Sequence, residues 1–522
     1  MSRNIYLVGF MASGKTTVGK LLAEALKRKF VDMDLLLEER FGKPISEVFA
    51  DPGEKAFRDA ESSLLTQLAR RDRLVVATGG GVPERGENRQ VMRSSGKIVH
   101  LDAGLSSCMA RLNDVDRASR PLWSDEPSLK KLFDQRRNLY QQCDVTVDVD
   151  RRNAEETARA IVGTLVGEQR FTVRMGETPC PVIATYSAAE ALDSLVGGRR
   201  TALLTDRTVA RLHLDRFRAM LGPSLEIVIP PGERSKSLSS ARLVFERLIE
   251  HRFDKDDLLI ALGGGVVTDL GAYAASTYKR GMDFALVSTT LVGCVDAAVG
   301  GKTAINLGQA KNVIGSFSVP NAVVLDVASL RTLGRNRLSE GLVEAYKTGL
   351  VASHELAELI DSESEALTAG DLPLLAEVVA QSSRTKGHVV SSDFREHGLR
   401  RILNFGHTFG HAVEGWHRFK ISHGQAVALG MRVATRISRV RGLITDKLVE
   451  RIFSTLQHIS PRHVVAPPID EAWEIMKHDK KIRGGQLVFV LLEAVGQPVC
   501  VDNVSKEEVA EALRSLEERH SG

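Results

Sequence analysis

Gly9-Phe10-Met11-Ala12-Ser13-Gly14-Lys15-Thr16 has the spacing G-x-x-x-x-G-K-[ST], in which a glycine-rich turn presents backbone N–H groups to a phosphate chain. Lys15 is placed to reach the terminal phosphates, and the Thr16 hydroxyl to ligate Mg2+. A glycine turn with an incidental lysine would look the same in isolation. The apolar run before this one and the helical period after it favour the nucleotide cradle. Asp32-x-Asp34 then offers one carboxylate for Mg2+ and one for a substrate hydroxyl. Arg58 in Phe57-Arg58-x-x-Glu61, the triplet Gly79-Gly80-Gly81, Arg117-x-x-Arg120-Pro121-Leu122, and Arg136 follow. Each arginine alone is most simply a solvated surface charge.

A second constellation lies further along. Leu258–Leu262 runs into Gly263-Gly264-Gly265-Val266-Val267-Thr268-Asp269, a strand followed by glycines that let backbone approach a pyrophosphate at a helix N-terminus. A plain tight turn is the competing reading, since the usual G-x-G-x-x-G is absent. Glu344, His407, His411 and His423 are potential metal ligands, with His407 and His411 an i,i+4 pair on one helical face. Two histidines and one glutamate make a zinc set that leaves a position open for substrate. Arg280, Lys302, Lys347, Lys386, Arg400 and the Lys480-Lys481 pair surround them in sequence. Most such cations are hydrated surface, but Lys302 sits in the small, apolar stretch Asp296-Ala297-Ala298-Val299-Gly300-Gly301-Lys302-Thr303, a setting for an anion contact.

Several function classes are excluded by composition. A net charge of +4 over 522 residues gives no general argument for nucleic acid or an anionic membrane. The uncharged run Asn312–Leu325 contains Pro320 and falls short of the roughly 18 residues a span requires. No cleavable leader pattern precedes the first apolar run. The 5 cysteines are odd in number and lack a C-x-x-C pair, which favours reduced thiols over a disulfide framework. The expectation is a soluble cytoplasmic protein, in which local basic pockets for small acidic substrates are not excluded.

The elements that must position these residues read as α/β for most of the chain. Ile5–Val8, Leu74–Ala77, Ile98–Leu101, Ala202–Leu204, Leu258–Leu262 and Phe284–Val287 are short buried strands alternating with helical-period segments. Asn153–Val166 closes the first unit as an amphipathic helix, and the chain is punctuated at residues 167–170. Phe171–Arg174 restarts strand character, and from about Leu330 the pattern is mainly helical. The expected domains are 1–168, a P-loop α/β domain; 171–329, a Rossmann-like α/β part; and 330–522, a helical part.

Taken in order, Gly9–Thr16, Asp34, Arg58, Gly79–Gly81, Arg117-x-x-Arg120 and Arg136 resemble shikimate kinase over about residues 1–166. The resemblance implies ATP contacts from Gly9, Ser13, Gly14, Lys15, Thr16, Thr17 and Arg117, with Mg2+ at Thr16 and Asp32. It implies that Asp34, Arg58, Gly80 and Arg136 hold shikimate, the two guanidiniums gripping its carboxylate. Lys15, Asp34 and Arg117 would then serve phosphoryl transfer, Arg117 from a lid. Trp123 departs from the aliphatic residue usual after Pro-Leu.

Pro231-Gly232-Glu233-x-x-Lys236, Gly263-Gly264-Gly265-x-x-x-Asp269, Asp296…Gly300-Gly301-Lys302-Thr303, Lys311-Asn312-x-Ile314-Gly315 and the Asn404–Glu414 run resemble 3-dehydroquinate synthase over about residues 171–500. The resemblance implies a zinc site, with cobalt as an alternative ion, at Glu344, His407 and His423. It implies NAD contacts from Asp206, Glu233, Lys236, Gly264, Gly265, Asp269, Thr289 and Thr290. The substrate phosphate would meet Lys302, Asn312, His411 and Lys480-Lys481, with Arg280 reaching across a homodimer formed through this half. Lys386 and Arg400 would take a carboxylate, and Asp296, Lys347 and Asn404 the hydroxyl region, with Lys302, Lys347 and His411 closest to the chemistry. That chemistry is transient oxidation of a ring carbinol by NAD+, elimination of phosphate, return of the hydride, ring opening and aldol closure, without net redox.

The chain therefore reads as a fusion of two enzymes of aromatic precursor biosynthesis, acting at non-adjacent steps. The alternatives are a different sugar phosphate cyclase, a metal alcohol dehydrogenase, or a half retained as a non-catalytic scaffold. Lys386 and Arg400 speak against a substrate without a carboxylate, and the complete ligand set against a dead site. Ser288, Ala304 and Gln425 depart from the synthase pattern, and Gln425, two residues from His423, is expected to change the charge around the metal.

Overall fold

Asn4–Val8 is buried along its whole length, the condition of a central strand in a parallel sheet with both faces covered. The computed structural model describes residues 3–112, 126–222, 224–308, 310–483 and 487–518, the side chains of 126, 478–483, 517 and 518 excepted. The chain forms two compact units, Met1–Gly167 and Glu168–Gly522.

In the first unit, β1 (Asn4–Val8), β2 (Lys29–Asp32), β3 (Leu74–Ala77), β4 (Gly96–Asp102) and β5 (Val145–Asp148) lie in the order β2-β3-β1-β4-β5. Every pairing is parallel. The glycine loop after β1, Asp32 ending β2 and the glycines after β3 therefore emerge at one edge of the sheet. The helix Ala154–Val166 starts at Asn153, whose side chain and that of Glu156 cap each other's backbone N–H groups. The joint read at 167–170 is shorter than expected. Gly167 ends the helix at φ 69°, and Glu168 already belongs to a strand.

The second unit opens with β6 (Glu168–Met175), β7 (Thr178–Thr185), β8 (Thr201–Asp206), β9 (Leu225–Ile229), β10 (Leu258–Gly263) and β11 (Asp283–Ser288). A hairpin, β12 (Lys302–Leu307) with β13 (Ala310–Phe317), precedes β14 (Ala322–Asp326). The main sheet has the order β6-β7-β14-β11-β10-β8-β9, antiparallel only between β6 and β7. Leu203, Leu258, Ile260 and Leu262 pack with Leu192 and Phe217 to form its core. After β8 the chain goes outward to β9 and then crosses to β10 on the other side. The crevice at the carboxyl ends of β8 and β10 is thus a topological switch point, where open α/β sheets bind ligands.

Beyond β14 come the helices Arg335–Ala352, His354–Ala369, Leu372–Ser392, His407–Trp416, His423–Val440, Asp446–Ile459 and Ile469–Arg483. A second hairpin, β15 (Phe489–Ala494) with β16 (Gln497–Val501), and the helix Lys506–Glu518 follow. Residues 341–351 of the first of these helices are all buried, which makes it the central rod of the helical layer. Among the described residues no helix is long and apolar enough to cross a membrane.

Candidate active sites

In the first unit the loop after β1 turns through left-handed backbone at Ala12 (φ 57°) and Gly14 (φ 96°), where the absence of a Cβ relieves strain at the glycine. The helix Lys15–Leu26 starts immediately afterwards. Lys15 Nζ donates to the carbonyls of Gly9 and Phe10 at 2.9 and 3.0 Å, lying back across the loop. The Thr16 hydroxyl donates to Asp32 Oδ2 at 2.7 Å, so both residues read as Mg2+ ligands are in contact. Asp32 also caps the helix Met33–Phe41 through the Asp34 N–H. Ser13 Oγ is buried without a hydrogen-bond partner, and Thr17 is exposed.

The three glycines after β3 are explained by what faces them. A Cβ on Gly79 would lie 2.6 Å from Glu61 Oε1 and 2.9 Å from Asp34 Oδ1. One on Gly80 would lie 3.4 Å from Arg136 Nη1 and 3.6 Å from the Tyr140 hydroxyl, and one on Gly81 would overlap the Arg58 guanidinium. Asp34, Arg58, Gly80 and Arg136, scattered over about a hundred residues, are thereby gathered at one turn. Arg58 Nη1 holds Glu61 Oε2 at 3.0 Å, and Arg136 Nε holds Glu84 Oε1 at 2.6 Å. Burial pushes the Glu61 carboxyl up to about 7, against the pull of Arg58. Tyr140 donates to the Gly80 carbonyl at 2.6 Å. Arg117, Arg120 and Trp123 lie outside the described residues.

In the second unit the dinucleotide residues collect at the carboxyl edge of the main sheet. Gly264 and Gly265 follow β10, Thr289 and Thr290 follow the adjacent β11, and Asp206 ends β8 across the switch point. A Cβ on Gly264 would lie 2.9 Å from the Thr290 side chain. Thr289 Oγ1 is buried without a partner. Asp206 Oδ1 accepts from the N–H groups of Thr208 and Val209, so this carboxylate also caps a helix. Lys236 bonds both Asp269 and Asn312, and Glu233 accepts from Asn306 at 2.8 Å.

Glu344, His407 and His423 come from three different helices, yet their ligand atoms all lie within 4.8 Å of one another. Nε2 of His423 and of His407 approach Glu344 Oε1 at 3.1 and 3.6 Å. That oxygen is buried and faces only these two imidazoles, while Lys347 takes the other, so it is placed for a cation bound between the three side chains. The donor set suits zinc or cobalt. Burial drives His407 down to about 3 despite Glu344. Against the same desolvation, hydrogen bonds to Glu344 and Glu414 hold His423 up at about 10. The Glu344 carboxylate, although burial opposes its charge, is kept well below the usual range by Lys347 and the two imidazoles. The His411 ring centroid lies 5.4 Å from that of His407 and 6.2 Å from that of His423, outside the ligand trio.

Three of the cations expected at the substrate are paired with carboxylates of the chain. Lys302 bonds Glu396, Lys347 bonds Glu344, and Lys386 bonds Asp296 Oδ1 at 2.6 Å. Burial lowers Lys386 to about 8 even with Asp296 beside it. Arg400 donates to the Gly300 and Phe394 carbonyls at 3.2 and 2.8 Å, and a Cβ on Gly300 would strike its guanidinium. Asn404 Nδ2 donates to Glu396 Oε1 at 3.3 Å. Asn312 sits at φ 56° on the β12–β13 hairpin, its N–H bonded to Asn306 Oδ1. Arg280 is exposed at the end of a short turn, with φ 67°. Lys480 and Lys481 fall in the helix Ile469–Arg483, and their side chains lie outside the described residues.

Sequence reasoning gave the partner carboxylates no role. Glu61, Glu84, Glu396 and Glu414 each hold a residue singled out above. Glu61 and Glu414 had a helical signal, three residues after Arg58 and three after His411; Glu84 and Glu396 had none. The Gln425 side chain forms a capping box with Ser422 at the start of the helix His423–Val440, and the carboxylate on His423 Nδ1 is Glu414.

The shikimate kinase family model matches residues 11–166. The 3-dehydroquinate synthase N-terminal and C-terminal models match residues 226–340 and 341–482. The chain is 32% identical over 485 residues to the bifunctional shikimate kinase/3-dehydroquinate synthase of Thermotoga maritima, covering 93% of this chain and 94% of that one. It is 40% identical over 322 residues to the 3-dehydroquinate synthase of Nitrosospira multiformis, covering 60% of this chain and 88% of that one. A solved structure of 2-epi-5-epi-valiolone synthase from Streptomyces hygroscopicus, with NAD+ and Zn2+ bound, matches at TM-score 0.61 and 26% identity over 66% of this chain and 98% of that one. On these matches the chain belongs to the family of bifunctional shikimate kinase/3-dehydroquinate synthases.

Proposed function

We propose that the two activities of this bifunctional enzyme run on the residues assembled above. The first unit phosphorylates shikimate with ATP; the second converts 3-deoxy-arabino-heptulosonate 7-phosphate to 3-dehydroquinate and phosphate.

For the kinase, the observation that carries the site assignment is the bare face of the glycine turn, which lets Asp34, Arg58 and Arg136 converge. Arg58 and Arg136 bind the shikimate carboxylate and so bring the attacking hydroxyl to Asp34, which orients it and accepts its proton as the hydroxyl oxygen bonds the terminal phosphoryl group and ADP leaves. Lys15 exchanges the loop carbonyls for phosphate oxygens, and Thr16 and Asp32 would hold Mg2+, which would screen the charge of the phosphates. Arg117, outside the described residues, is assigned to ATP.

For the synthase, the convergence of Glu344, His407 and His423 carries the assignment. Zinc or cobalt held there would polarise the oxygen of the bound carbinol, and NAD+ would take and return its hydride. NAD+ would be held at the switch point by Asp206, Glu233, Lys236, Gly264, Gly265, Asp269, Thr289 and Thr290. Lys386 and Arg400 take the substrate carboxylate. Lys302, Asn312, His411 and the Lys480-Lys481 segment take the phosphate, while Asp296, Lys347 and Asn404 hold the ring hydroxyls. Because Lys302, Lys347 and Lys386 already carry counter-charges, binding exchanges one set of ion pairs for another. The two buried cations Lys386 and Arg400 favour a carboxylated substrate over other sugar phosphates. A homodimer through the second unit, with Arg280 crossing to the neighbouring site, and a cytoplasmic location complete the reading; the 5 cysteines are all free.

The test is phosphate release from 3-deoxy-arabino-heptulosonate 7-phosphate with catalytic NAD+, alongside ADP release dependent on shikimate. Zinc-restorable phosphate release without accumulating NADH supports the synthase site. No release from a folded, metal-loaded chain overturns it.

A further inference from the structure

On the reading of Glu344, His407 and His423 as metal ligands, we propose that Glu414 is the positioning residue that sets His423 for the ion. The Glu414 carboxylate lies 3.1 Å from His423 Nδ1. An ionised carboxylate only accepts, so the imidazole proton belongs on Nδ1 when the ring is neutral, and the Nε2 lone pair is left for a metal. Nε2 points the right way, 3.1 Å from Glu344 Oε1.

The two histidines are oriented by unlike acceptors. His407 Nδ1 faces the Phe405 carbonyl at 3.3 Å, a neutral group, whereas His423 faces a charge. A carboxylate behind a ligating imidazole makes it the more basic ligand. Gln425 is engaged with Ser422 at the helix start and does not fill this place.

The fold is arranged to bring Glu414 to His423. A Cβ on Gly410 would lie 3.1 Å from the Ala426 carbonyl oxygen, and one on Gly430 would overlap the Gly406 carbonyl. Glycines at those positions let the helices His407–Trp416 and His423–Val440 approach closely enough for the contact. Glu414 is buried, 6% exposed, and its other oxygen lies 3.5 Å from Lys311 Nζ, which sits 4.0 Å over the Phe419 ring. Lys311 comes from the β12–β13 hairpin. The carboxylate thus has a counter-cation of its own and stays ionised without drawing on the metal.

The test titrates Zn2+ into the metal-free full chain against a chromophoric chelator, for wild type, Glu414→Ala, Glu414→Gln and His407→Ala. Glu414→Ala should weaken zinc binding roughly 10- to 100-fold. Glu414→Gln, which keeps an acceptor for Nδ1–H but not the charge, should fall between Glu414→Ala and wild type. The visible spectrum of the Co2+-loaded chain should change in Glu414→Ala as the histidine is freed to turn. Melting profiles of the metal-free variants show whether they fold, and if the alanine variant does not, the glutamine variant decides. Wild-type zinc affinity in a folded Glu414 variant overturns the inference. Absence of zinc binding in wild type, or binding indifferent to His407→Ala, instead overturns the ligand assignment beneath it.

Discussion

Lys347 Nζ holds Glu344 Oε2 at 2.7 Å from one turn along the same buried helix, leaving Glu344 Oε1 to face His423 and His407. One carboxylate is thereby divided between a permanent cation and a place for a metal. Both side chains are almost wholly buried, so each depends on the other for its charge.

Lys347→Met removes the cation and leaves the carboxylate in the apolar interior. The metal-free second unit should lose about 3–5 kcal/mol of stability, and added zinc should restore part of that loss by resupplying positive charge. Calorimetric melting with and without zinc checks both halves of this expectation.

Gly81→Ala places a methyl group where the Arg58 guanidinium lies. Overpacking of about 1–3 kcal/mol should appear as a rise of roughly 5- to 150-fold in KM for shikimate, with KM for ATP unchanged. Steady-state kinetics in both substrates separate the two; an equal effect on ATP would point to general disruption of the unit.

Glu84→Ala frees Arg136 Nε from its carboxylate partner. The pair is partly exposed, so the effect should be about 1 kcal/mol, roughly fivefold in KM for shikimate. Glu84→Gln keeps an acceptor and should recover most of it. A fall in KM on removing Glu84 would instead mark it as a competitor of the substrate carboxylate.

Burial raises Glu61 from the ordinary 4.5 to about 7 despite Arg58. The unfolded chain then ionises this group at lower pH than the folded one. Stability from this source is therefore complete below about 4.5 and declines as pH rises to about 7, by at most about 3 kcal/mol. Denaturation across that range should show the slope for wild type, and Glu61→Gln should flatten it.

Removal of metal by chelation and dialysis should abolish phosphate release by the second unit, with zinc restoring it. Shikimate phosphorylation, assayed with Mg2+ re-supplied, should survive the same treatment. Loss of both activities after Mg2+ is returned would contradict separate metal requirements.

Much of the architecture is legible along the chain because strands and helices are local patterns. The runs at Leu74–Ala77 and Leu258–Leu262 are strands as expected, since buried parallel strands are short continuous apolar stretches. The joint at 167–170 was drawn too long because Glu168, Gln169 and Arg170 are polar, and only pairing of β6 with β7 makes them a strand.

Spacing within one loop was likewise enough to single out Gly9–Thr16 and Gly263–Gly265, because each works through backbone geometry, whereas His407 and His423 stand on two helices that only packing brings together. It could not say what stands behind them. Glu84 meets Arg136 across 52 residues and Glu396 meets Lys302 across 94, contacts that no local periodicity encodes. Gln425 looked like the neighbour of the metal because it is near in sequence, while Glu414, on another helix, occupies that place. Residue types set which chemistry was available. Which carboxylate partners which cation is a property of how close the helices and the glycine turn pack, since ion pairs and hydrogen bonds act over a few ångströms of space and are indifferent to distance along the chain.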